Sequence, residues 1–151
     1  MVALSRLPTR DRLSAWGINV PLHCVLCSED LESHQHLFFQ CSFVAGLWAH
    51  YCGNYGLSVP SSLNAVSSLL SLRQVGDTPG LRVVLKLLLQ AIVYCSWREQ
   101  NLRSFQQTSS TEAGVKAQVH RLLRDRLIST QPPTPASTLL QVYLSLLPSG
   151  L

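Results

Sequence analysis

The sequence predicts a mainly α-helical protein with little or no sheet, in which a small cysteine-stapled knuckle precedes a helical bundle. Three observations lead there. Apolar residues recur at helical spacing over most of the chain, the longest run being "LRVVLKLLLQAIVYCSW". Breaks rich in Gly, Ser and Pro, such as "GLSVPSSLN" and "STQPPTPAS", punctuate those runs. Three of the five cysteines also fall within the 18 residues from Cys24 to Cys41.

The bulk numbers fit that class. A chain of 151 residues can bury a core, and 46% hydrophobic against 13% charged residues excludes a disordered polymer. Arg82, Lys86 and Gln90 interrupt the longest apolar run, so it reads as a buried helix and not a membrane span. "MVALSRLPTR" has too short an apolar core for a signal peptide, which implies a soluble, intracellular protein. A net charge of +4 leans mildly towards an anionic partner. Clustered thiols in a reducing compartment are metal ligands or redox groups more often than a disulfide framework.

Taken in order, Pro8-Thr9 marks a helix start, with Thr9 as N-cap, Asp11 in the first turn and Gly17 as the stop. "INVPLHCVLCSED" reads as an extended entry into a turn, and Ser33 as a cap for a turn holding His36, Leu37 and Phe38. A helix with Phe43, Leu47 and Tyr51 on one side follows Cys41. Another is expected from about Ser62 to Leu72, broken by "QVGDTPG". The longest should run from about Leu81 to Phe105, and one from about Thr111 to Ile128 carries Val115, Val119, Leu122, Leu123 and Leu127. "TLLQVYLSLL" would close the chain as a short helix. The expected division is a metal module over 1–56, a linker with a short helix over 57–80, a helical segment over 81–128, and a Pro-rich connector with a short C-terminal helix over 129–151.

The cluster reads Cys24-x2-Cys27-x8-His36-x4-Cys41. Two cysteines two residues apart can aim both sulfurs at one ion from a tight turn, and a second pair closes a tetrahedron. Three thiolates and one imidazole favour zinc over magnesium or calcium. They also fill every position, which makes the zinc a structural staple that activates no water. A redox pair is the rival reading, but "CVLC" is followed by Glu29, Asp30 and Glu32, acids expected to raise a thiol pKa. Inert buried thiols are the other. His34 and His23 lie close enough to compete for the fourth position; His36 is preferred because it opens the apolar "HLFF". Cys52 and Cys95 sit among apolar residues and read as core thiols.

"RLPTRDRLSAWGI", "CVLCSEDLESHQHLFFQC", Trp48 and "YCSWREQNLRSF" together resemble the zinc-binding domain of plant LINE-type (non-LTR retrotransposon) reverse transcriptases. Glu32 and His36 through Cys41 follow the family pattern in order and spacing, as do Trp97, Arg98, Glu99 and Asn101. The resemblance supports His36 as the fourth ligand. It implies an accessory domain lying after the polymerase that helps bind the element's RNA or DNA in the nucleus or cytoplasm, with no small-molecule substrate and no membrane partner. Two departures accompany it. The family opens with a further helical segment, whose lack suggests a truncated remnant. Gln100 replaces the usual arginine, expected to be a tolerated surface change or a sign of relaxed function.

No catalytic residues are expected. Asp11, Asp30, Asp77 and Asp125 stand isolated, unlike the paired aspartates that hold a polymerase's two magnesium ions, and no phosphate loop or GxSxG occurs. The candidate phosphate contacts are Arg6, Arg10, Arg12, Lys116, Arg121 and Arg124, with His120 and Arg126 beside them. The ordinary reading of such residues is a solvated helix face. Trp16, Phe38, Phe39, Trp48 and Trp97 sit at helical spacing among aliphatics and are expected in the core. The rivals to nucleic-acid binding are protein interaction or self-association through an uncovered apolar face on residues 81 to 97, and a non-functional retroelement remnant.

Overall fold

A computed structural model describes residues 6–129 and 139–148; the Pro-rich connector expected at 129–137 lies almost wholly outside them. The order is α1 (Arg10–Ala15), a π-helical turn (His36–Gln40), α2 (Ser42–Cys52), a 3-10 turn (Gly53–Tyr55), α3 (Leu63–Leu70), α4 (Arg73–Asp77), α5 (Leu81–Phe105), α6 (Glu112–Ser129) and α7 (Leu139–Leu146). Among the described residues the only β pairing is one isolated bridge, His23 to Leu31. The mainly helical reading holds.

The long helix α5 organises the rest. Leu81, Val84, Leu85, Leu88, Ile92 and Cys95 recur at three- and four-residue steps and are buried, facing α6, α7 and α2. The short 106–111 link folds α6 back along α5: Arg103 meets Ser110 at the loop, while Ala91 and Leu123 line one groove further down. α6 contributes Val115, Val119, Leu123 and Leu127 to that seam. Leu122, expected on the same stripe, is exposed instead. The apolar face of residues 81 to 97 is therefore largely covered within the chain, with Val83 and Tyr94 left as its exposed large side chains.

Two glycines permit close approaches. Gly80 precedes α5 at φ +79°, and a Cβ there would lie 2.7 Å from Leu139 Cδ2 of α7. Gly46 on α2 leaves room for the Glu112 carboxylate of α6. Polar ties join the same elements. His120 Nδ1 lies 2.8 Å from the Tyr143 hydroxyl. Asn54 Nδ2 donates to the Ser145 and Leu147 carbonyls at the end of α7.

Local chemistry explains most boundaries. The Ser62 hydroxyl accepts from the Ala65 N–H and starts α3. Thr9 stands at the N-cap of α1, but its hydroxyl donates to Asp11 Oδ1 instead of capping a backbone amide. "QVGDTPG" does not simply break the chain. Its first residues form α4, over which Arg73 pairs with Asp77 at 3.4 Å, and only Thr78 to Gly80 make the break.

Candidate metal centre

The knuckle is built from both flanks of the "CVLC" turn. The Cys24 N–H donates to the Asp30 carbonyl at 2.7 Å, and the Glu32 N–H to the Leu22 carbonyl at 2.8 Å. The Ser28 N–H closes the turn onto the Cys24 carbonyl, with Ser28 in the left-handed region at φ 60°. This geometry points the sulfurs of Cys24 and Cys27 to one side.

The other two ligands come from the π turn. Ser33 Oγ accepts from the His36 N–H, so the expected cap is present. The Cys41 N–H then donates to the His36 carbonyl at 2.7 Å, a five-residue step. On a regular α-helix residues five apart point about 140° away from each other. The wider π turn brings Cys41 round to face the same point as His36, which gives the His-x4-Cys spacing a physical cause. The Trp48 indole N–H donates to the Phe38 carbonyl and ties the turn to α2.

The four side chains converge. One ligand atom from each of Cys24, Cys27, His36 and Cys41 lies within 4.8 Å of all the others. Cys24 Sγ is 3.9 Å from Cys41 Sγ, and Cys27 Sγ is 3.3 Å from His36 Nε2. With zinc–sulfur bonds of about 2.3 Å, two sulfurs on one tetrahedral zinc stand about 3.8 Å apart, so the cluster fits a zinc ion. Cys24, His36 and Cys41 are buried, so a bound zinc is shielded on most sides. A Cys3His set so enclosed is a structural site for one zinc.

The cluster favours a thiolate. The Cys41 thiol beside Cys24 pulls its pKa down to about 5; burial opposes this, and the Cys27 and Leu26 amides add to it. Cys41 is pushed up by Cys24 and by burial. The expectation that nearby acids would raise the thiols fails at Cys24: Glu29 and Asp30 are exposed, and the Cys41 thiol with the turn's amides outweighs burial and the buried Glu32 nearby. His34 does not join the cluster: it stacks on Phe38 at 6.4 Å, and burial lowers its pKa. His23 is exposed on the bridge. His36 is the fourth donor.

A surrounding shell fixes the knuckle to the bundle, and sequence reasoning missed most of it. Glu32 is 0% exposed; its Oε1 accepts from the Arg10 N–H at 3.1 Å and from Gln100 Nε2 at 2.9 Å. Gln100 is thus no surface residue, being 2% exposed. Arg103 reaches from α5 to the Val25 and Leu26 carbonyls inside the "CVLC" turn. It also pairs with Glu99 at 2.8 Å, donates to the Ser110 carbonyl and lies over the Phe43 ring. The signal for Arg103 was an arginine four residues after a glutamate on a helix, too common to single out.

Residues 1–48 match the family described as zinc-binding in reverse transcriptase. The match contains all four ligands, and it is to a zinc-binding domain, not to a catalytic one. No curated protein and no solved structure matches the chain.

The basic residues singled out from sequence are not equivalent in the structure. Arg10 is engaged, its Nη1 donating to the His23 carbonyl at 2.6 Å and its Nε lying 3.9 Å from Glu32 Oε2. The helix starts at Arg10, so Arg6 precedes it and shares no helical face with it. Arg12 lies over the Trp16 ring, and Lys116 pairs with Glu112 at 2.8 Å. Arg6, Arg121 and Arg124 are exposed. Of the aromatics expected in the core, Phe38, Phe39 and Trp48 are buried and Trp97 is half-buried, but Trp16 is 57% exposed. It stands at the C-cap of α1, a helix of six residues with no buried side chain. Cys52 and Cys95 are buried away from the cluster, and burial pushes both thiols up.

Proposed function

We propose that this chain is a non-catalytic accessory domain, descended from the reverse transcriptase of a plant LINE-type element, that binds RNA or DNA on a zinc-stapled scaffold. The observation that carries the reading is the closed Cys3His cluster inside the segment matched to the reverse-transcriptase zinc-binding family. The enclosed zinc holds the knuckle and performs no chemistry. Phosphate contacts come from the exposed cations Arg6, Arg121 and Arg124 and the half-buried Arg12. Arg10 and Lys116 serve the fold, since each is already committed to a protein partner. By resemblance this work belongs to the nucleus or cytoplasm; no helix among the described residues is long and apolar enough to cross a membrane.

Fluorescence anisotropy with a labelled RNA tests the reading. The zinc-loaded protein should bind with an affinity that falls steeply between low and moderate salt. No binding, or binding indifferent to salt, contradicts it.

A second reading, self-association, draws support from a different surface than the sequence suggested. Trp16, Ile18, Leu22 and Leu31 are all exposed on and around α1 and the knuckle. Sedimentation separates the two readings: a stable oligomer indifferent to RNA favours this one.

A further inference from the structure

The outer face of α5 carries a pattern the metal centre does not use. Arg82, Lys86, Gln90, Tyr94 and Arg98 succeed one another at four-residue steps, and all five are exposed. At 1.5 Å per residue the stripe extends about 24 Å. No acidic residue occurs on α5 before Glu99, which is buried and paired with Arg103. Lys86 and Arg98 form no ion pair among the described residues, while Arg82 Nε donates to the Leu70 carbonyl.

Midway, the stripe borders an open groove of about 290 Å³ between α5 and α6. Leu87, Ala91 and Leu123 give it an apolar lining. Tyr94 and Leu122, 56% and 39% exposed, flank it, and Arg126 adds a cation from α6. Asp125, next to Arg126, is the only exposed acid on that stretch of α6. An accessible ring beside an apolar slot, with cations before and after it, matches the two surfaces of an unpaired strand: base faces that stack and phosphates that pair with Lys and Arg. A duplex hides its base faces and cannot use the ring. An acidic peptide satisfies the cations but leaves the tyrosine and the slot without a role.

We propose that this groove is a binding site for single-stranded RNA, with a base stacked on Tyr94 and the backbone passing along Lys86 and Arg98. The amide of Gln90, one turn from Tyr94, offers both a donor and an acceptor to a ribose 2′-hydroxyl, the group that separates RNA from DNA. The site rests on the nucleic-acid reading above and adds Lys86 and Arg98 to its phosphate contacts.

The test uses the whole zinc-loaded chain, a labelled RNA of about 15 nucleotides and anisotropy across salt. The same sequence as single-stranded DNA, the same sequence as a duplex, and a polyglutamate peptide serve as competitors. Tyr94→Ala should weaken RNA binding about tenfold, whereas Tyr94→Phe, which keeps the ring, should stay close to the parent. The double variant Lys86→Glu/Arg98→Glu should bind more weakly still and show a shallower salt dependence. These positions are exposed, and melting curves matching the parent show that the fold is intact. Strong RNA binding unaffected by Tyr94→Ala and by the charge reversals overturns the groove while leaving the nucleic-acid reading standing. No binding by the parent chain overturns that reading and the groove with it. Competition by DNA, duplex or polyglutamate equal to that by RNA overturns the single-stranded RNA assignment.

Discussion

Gln100 on α5 donates through Nε2 to Glu32 Oε1 at 2.9 Å, joining the long helix to the knuckle across 68 residues of chain. The same oxygen accepts the first N–H of α1. One buried carboxylate therefore holds three elements in register around the metal cluster.

Removing that acceptor should be expensive and replacing it should not. Glu32→Ala leaves the Gln100 amide and the Arg10 N–H without their acceptor in a buried site, at a cost of about 3 kcal/mol in a denaturant titration. Glu32→Gln keeps an oxygen there. Burial, the largest influence on Glu32, raises its pKa above the usual 4.5, outweighing the Arg10 N–H and Gln100 bonds. A raised carboxyl contributes stability that is fully present below its unfolded value and lost as pH rises through its folded value. The stability of the parent relative to Glu32→Gln should therefore fall as pH rises from about 4 to 7. A constant difference across that range contradicts the account.

Arg103 is the second tie. Its Nη1 donates to the Val25 and Leu26 carbonyls of the turn that carries Cys24 and Cys27, so it should influence metal affinity without touching metal. Arg103→Ala is expected to lower zinc affinity about tenfold, as loss of a supporting contact usually does. Arg103→Lys should rescue little, because one ammonium cannot reproduce the fork that meets Glu99, Ser110 and the turn together. Competition against a chromogenic chelator measures both; unchanged affinity in Arg103→Ala would show the tie to be incidental.

Gly80 tests the bundle independently of the metal. At φ +79° a side chain is strained, and its Cβ would press on Leu139 of α7. Gly80→Ala should lose about 2 kcal/mol of stability, while zinc stoichiometry stays at the parent value. A variant as stable as the parent would mean that α7 does not pack there.

The periodic parts of the fold were legible because their cause is local. The apolar steps of α5 and the helix start expected near Ser62 depend on a few neighbouring residues, and the helices fall close to where those signals place them. The four zinc donors were legible for the same reason, lying within 18 residues in a spacing that suits one ion. The shell around them was not. Glu32 to Gln100 and Arg103 to Val25 are contacts between distant stretches of chain, and the sequence around Gln100 resembles any helix surface. Trp16 was misread because its spacing suits a core, yet α1 is too short to carry it inward. α4 was missed because helix-tolerant "RQVGD" runs directly into the Thr78–Gly80 break, which dominated the reading.

The central claim is that Cys24, Cys27, His36 and Cys41 hold one structural zinc. X-ray absorption at the zinc edge of the purified protein, paired with metal analysis, tests it most directly. The account predicts one zinc per chain in a shell of three sulfurs at about 2.3 Å and one nitrogen at about 2.0 Å. It further predicts that Cys24→Ser or Cys41→Ser loses both the metal and the folded knuckle. An oxygen-containing shell, or full zinc content in both serine variants, would contradict it.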